Sequence, residues 1–165
     1  MDNEKVIIKA LRERSKPMAK KAKAKVKRKR LEKVSTIQNR LMKLWLNRIY
    51  EIYNRKCAIC GDTVKPNAHH IVNRDVSPAL RFDPNNGIAL CASCHRFGLL
   101  SAHKNGVWFG NWLMEHAPKQ YKYIVDNSSK RINIRDREEL YRLEAILLSD
   151  ITDDERDFHG ERNNA

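Results

Sequence analysis

A chain of 165 residues has room for one compact domain with extensions, and at 41% hydrophobic and 32% charged residues it suits a soluble protein with a modest core. No apolar run approaches the ~20 residues of a membrane span, and "VIIKAL" is too short for a secretory signal, so the expected setting is cytoplasmic, where disulfides are disfavoured. The net charge of +13 is uneven: residues 1–30 hold thirteen Lys or Arg against three acids and residues 136–165 hold ten acids against four Arg, which points to a polyanion met from the N-terminal side.

Residues 1–34 read as a basic arm, flexible or helical. Lys20, Lys21, Lys27, Arg28, Lys29 and Arg30 suit sequence-independent, salt-sensitive contacts to phosphates. Residues 35–55 read as an amphipathic helix: Ser35 and Gln38 fit a capping box, and Ile37, Leu41, Leu44, Trp45, Ile49, Ile52 and Tyr53 recur at helical spacing. Its Trp and Tyr are read as core.

Residues 56–112 form the central module, short and turn-rich. "CAICGD" is a tight knuckle, and "KPNAHHIV" leads into a strand expected at His69–Val72. Pro84 and Asn86-Gly87 mark a loop; "IALC" is a second strand, and "CASCHRFGLL" begins a helix. Residues 113–151 carry further helices: one ends at Pro118, "KQYKYIVDN" makes another, and "IRDREELYRLEAILLSD" makes the last, with Asp136 as its cap and Leu140, Leu143 and Leu147 on its buried face. Residues 152–165 read as a frayed acidic tail.

Cys57-x-x-Cys60 and Cys91-x-x-Cys94, thirty residues apart, read as two knuckles around one structural Zn²⁺. In a domain this small the metal supplies folding free energy that a thin core does not. A redox CxxC lacks its βαβ context, and a zinc deaminase lacks its H-x-E and P-C-x-x-C. Zinc alone leaves function open, since many zinc ribbons only bind nucleic acid or protein.

Inside the zinc insert stand His69-His70, Asn86 and, directly after Cys94, His95. Neighbouring strand residues face opposite sides, so both histidines serve one site only if the chain bends, one holding a cation while the other faces water. Phosphodiester hydrolysis needs a base for the water and a cation for the phosphate charge, and neutral imidazole suits the base. His103 has three readings: a third ligand, a phosphate contact or a surface histidine. Arg74, Arg81 and Lys104 flank the motif and are candidate phosphate clamps. His116 and His159 are read as surface, and Trp108, Phe109 and Trp112 as core.

The string C-x-x-C…H-H-I…N-x-x-x-L-C-x-x-C-H resembles the His-Asn-His (ββα-metal) nuclease family over roughly Lys56 to Trp112. It is similar to phage recombination and homing nucleases, including the endonuclease VII-like group with its four-cysteine zinc. The family's glycine-rich link is replaced here by "NRDVSPALRFDP". The resemblance implies an α+β fold with a small ββα-metal core flanked by helices, and a DNA endonuclease using Mg²⁺ or another divalent cation. In that reading His69 and His95 are metal ligands, His70 is the general base, and Asn86 holds the loop and orients the base by hydrogen bonding. The products are a 5′-phosphate and a 3′-hydroxyl, the source is phage, and the chain acts as monomer or homodimer. The competing expectation is a non-catalytic zinc-ribbon nucleic-acid binder; a structural or host-interaction protein ranks third.

Overall fold

Helix α1, Val34–Ile52, forms because one face of it is apolar from end to end: Ile37, Leu41, Trp45, Ile49 and Ile52 repeat every three or four residues and are all buried. The computed structural model describes residues 31–159; the expected basic arm, with Lys20, Lys21, Lys27, Arg28, Lys29 and Arg30, lies outside them. The capping box expected at Ser35 and Gln38 is absent. Lys33 occupies the cap position without a side-chain bond, and the Gln38 amide donates instead to the Ile134 carbonyl at 2.7 Å.

Two four-residue strands, β1 (Asn67–His70) and β2 (Gly87–Leu90), pair antiparallel with His69 opposite Ile88 and His70 opposite Gly87. The ladder stops two residues before the expected end at Val72, because the Asn86 side chain takes over both polar groups of the Val72 backbone. β2 is buried along its whole length and lies against α1. The approach needs Gly87: a Cβ there would stand 2.1 Å from Ile49 Cδ1.

After β2 the chain makes one π-helical turn, Ser93–Phe97, rather than the expected longer helix. Gly98 turns to extended backbone (ψ 156°) while its N–H closes on the Ser93 carbonyl at 2.8 Å. Helix α2, Gly106–His116, is capped by the Asn105 side chain, which accepts from Trp108 N–H. Helix α3, Pro118–Asn127, starts on Pro118, whose missing N–H costs nothing in a first turn. Helix α4, Arg137–Leu148, has the expected Asp136 cap and sets Leu140 and Leu147 against α1.

The acidic tail differs from expectation. Thr152 caps a short helix α5, Asp153–Phe158, and Glu155 from it meets the buried Arg48 of α1. His159, read as a surface residue, is 4% exposed and lies 3.3 Å from the Tyr53 hydroxyl. The fold is therefore α+β, a two-stranded sheet and a cysteine cluster held among helices. Among the described residues no helix is long and apolar enough to cross a membrane.

Candidate functional site

The four cysteines meet in one cluster, their sulfurs all within 4.8 Å of one another. Cys60 Sγ lies 3.7 Å from both Cys91 Sγ and Cys94 Sγ. A tetrahedral zinc with Zn–S bonds of ~2.3 Å has an S–S edge of roughly 3.8 Å, so the donor set fits that ion. The first knuckle turns at Gly61 (φ 73°) and is tied to β2 by Ala58 N–H donating to the Ala89 carbonyl at 2.8 Å. Cys57 and Cys91 are themselves part of the buried core.

A second cluster joins His69, His95 and His103, with one nitrogen of each ring within 4.8 Å of the others. His69 Nδ1 is 3.1 Å from His95 Nε2, which is 3.2 Å from His103 Nε2. The three rings stand edge to face in pairs, centroids 4.8–4.9 Å apart. A cation with M–N bonds of ~2.0–2.1 Å in tetrahedral geometry has N–N edges of roughly 3.4 Å, so this donor set also fits a metal. Burial and the neighbouring imidazoles push the His69 pKa down to about 3, and burial lowers that of His95. Both rings are thus neutral at pH 7 with a lone pair to give.

Three separate elements bring these nitrogens together. His69 comes from β1, His95 from the π turn that follows the second knuckle, and His103 from the end of the next loop. His103 N–H donates to the His95 carbonyl at 3.2 Å and Ala102 N–H to the Cys94 carbonyl at 2.9 Å. The second knuckle therefore also sets the spacing of the histidines. His103, left open by the sequence, belongs to the cluster; eight residues of separation carried no fixed geometry until Gly98 broke the helix between them.

His70 takes a different environment from its neighbour. Its ring stacks on Trp45 at 3.8 Å between centroids, inclined by 7°, and its Nε2 lies 2.9 Å from the Arg81 carbonyl oxygen. A carbonyl only accepts, so the proton sits on Nε2 and the lone pair on Nδ1. Burial lowers its pKa too. Both His69 and His70 border one cleft of about 780 Å³, as do His95, His103 and Arg74, with Phe109, Leu113 and Ile124 on its apolar side.

Asn86 is fully buried. Its Oδ1 accepts from Val72 N–H at 2.7 Å, and its Nδ2 donates to the carbonyls of Val72 and Leu80 at 2.8 and 3.0 Å. These bonds go to the backbone of the loop that leads to Arg81, and none of them goes to His70 itself. Arg81 meets His70 through its backbone, while its guanidinium lies 3.8 Å from Asp75 and over the Phe82 ring. Lys104 Nζ donates to the Phe97 carbonyl at 2.9 Å. Phe109 is core, and Trp108 and Trp112 pack partly buried against it; His116 is exposed and stacks on Trp112. The contribution that sequence reading missed is Trp45, a core residue that is also the floor under His70.

Residues 57–97 match a family model described as HNH endonuclease. The match takes in both knuckles, His69, His70, Asn86 and His95, and stops before His103 and the helices around it. Neither a curated protein nor a solved structure matches the chain.

Proposed function

We propose, from an HNH endonuclease segment at residues 57–97, that this chain is a metal-dependent DNA endonuclease with His70 as general base and His69, His95 and His103 as ligands of the catalytic cation. The observation that carries the reading is the convergence of three imidazoles beside a fourth whose proton position is fixed by a backbone carbonyl. His70 Nδ1 then accepts the proton of the attacking water, and Trp45 and the Arg81 carbonyl keep the ring from turning away. When bound, the cation would neutralise charge on the phosphate and on the departing 3′ oxygen, giving a 5′-phosphate and a 3′-hydroxyl. Arg74, which lines the cleft, supplies a phosphate contact, and the basic arm supplies salt-sensitive affinity.

An all-imidazole donor set favours zinc, nickel and similar transition ions over Mg²⁺, which prefers oxygen donors. The Cys₄ site holds structural zinc in the same reading.

The test is plasmid nicking by the full chain and by His70→Ala, with added divalent ions and with zinc content measured in each sample. The native chain should nick, and His70→Ala should lose cleavage by a factor on the order of 10² or more while keeping DNA binding and zinc. Retention of full activity by His70→Ala would sink the mechanism. DNA binding without any cleavage across the metals tried would leave the zinc-ribbon binder as the function.

A further inference from the structure

The loop of residues 96–102 spans two members of the histidine cluster, and it is held firmly at its base. Besides the bonds from Ala102 to Cys94 and from His103 to His95, Gly98 N–H closes on Ser93 and Lys104 Nζ on Phe97. Its tip is nonetheless apolar and open: Phe97 is 74% exposed, Leu99 87% and Leu100 53%. Single exposed apolar residues are ordinary, but three within four positions on a fixed loop mark an interaction surface. Arg96 and Lys104, both exposed, flank the tip.

What covers this patch follows from its position and charge. The loop is the connection between His95 and His103, so a phosphodiester seated at those imidazoles runs alongside it. A purely apolar protein partner leaves Arg96 without a role, whereas a nucleic acid offers phosphates to Arg96 and to the free donors of Lys104, and a base stack to the apolar tip. Resting on the nuclease reading for where the scissile phosphate sits, we propose that Phe97 and Leu99 form a wedge that enters the base stack beside the cleaved step, with Arg96 and Lys104 on the adjoining phosphates. Apolar side chains used in this way separate neighbouring stacked bases and kink the duplex. The substrate class that fits is DNA with a step that is already open or opens cheaply, at a mismatch, a branch or a flexible pyrimidine–purine step.

The experiment uses the full-length, zinc-loaded chain carrying His70→Ala, which holds DNA uncut. It is mixed with duplexes bearing 2-aminopurine at successive positions, whose fluorescence rises when the base unstacks. The expected result is a rise on binding that disappears when Phe97→Ser and Leu99→Ser are added, with zinc content and helicity unchanged because both side chains are exposed. In the chain with native His70, the same two substitutions should slow cleavage of a fully paired duplex roughly tenfold more than cleavage of one mismatched at that step, since only the former must be opened. No fluorescence change on binding, or equal losses on paired and mismatched DNA, overturns the wedge. So does sedimentation showing that the two substitutions turn a dimer into monomers, which makes the patch a contact between copies of the chain. If the native chain unstacks DNA but cuts none, the wedge stands and the nuclease reading falls, so the two failures are told apart.

Discussion

At the scale of single residues, two positions next to His70 decide whether its ring can be held. Asn86 satisfies three backbone groups, and the chain reaches Arg81, whose carbonyl holds His70, one residue after the last of them. Asn86→Ala leaves the buried Leu80 carbonyl without this partner, at a cost of about 1–3 kcal/mol, and the part-buried Val72 groups at a smaller one. We expect a lower melting temperature and a lower kcat at temperatures where the variant is still folded, with zinc content unchanged. A native rate per folded molecule would confine Asn86 to architecture. Gly87, opposite His70 in the sheet, has no space for a side chain. Gly87→Ala drives a methyl into Ile49 and against Trp45, the floor under His70, which overpacks the core by about 1–3 kcal/mol. Because Ile49 Cδ1 is the nearest atom, Ile49→Val should cost less in the Gly87→Ala background than alone. Additive losses in thermal melts would contradict that geometry.

At the scale of elements, α5 is held by its contacts rather than by its own propensity: Glu155 pairs with Arg48, and Arg156 donates to the Glu51 carbonyl and to Asn54 Oδ1. A six-residue helix is marginal in water, yet Arg48 is 6% exposed and its guanidinium is met by Glu155 and the carbonyls of Ser149 and Asp150. Glu155→Ala removes the counter-charge and should destabilise the fold by on the order of 2–3 kcal/mol, below the figure for a wholly buried pair because Glu155 is partly open to water. Adding Arg48→Met should recover much of that loss, which denaturant melts of the single and double variants can measure. This element also shows what could be read from the chain alone. α1 and α4 were legible because long apolar periodicity and an Asp cap are local properties. α5 and the burial of His159 were not, because an acidic stretch looks solvated until a buried arginine and Tyr53 are brought to it from over a hundred residues away. The capping box failed for a similar reason: Gln38 found a better partner on Ile134, in the loop before α4. The end of β1 depended on a side chain fourteen residues on.

At the scale of the whole molecule, the described residues bring together two donor clusters of unlike chemistry that could each hold a metal ion, and they should behave differently. The cysteine pairs were legible from spacing, since two CxxC knuckles bring their own geometry. The histidine site was only partly legible, because His103 joins it through a loop whose path no spacing rule describes. Cys57 and Cys91 lie in the core, so loss of the ion they fit removes the link between the two knuckles inside that core and should unfold the domain. His95 and His103 border an open cleft, so loss of their ion should leave the fold standing. The expected stoichiometry is therefore two transition-metal ions per chain, falling to one in His95→Ala with circular dichroism unchanged. Cys60→Ala should instead lose cooperative melting altogether. A weak chelator should remove the cleft ion together with nicking activity and without unfolding, and nickel, cobalt or zinc should restore cleavage better than Mg²⁺ at equal concentration, because imidazole nitrogen donors do not match the oxygen preference of Mg²⁺. Full activity in His95→Ala with Mg²⁺ alone would show that the three imidazoles do not hold the working ion. Two ions retained in that variant would place the second metal elsewhere in the chain.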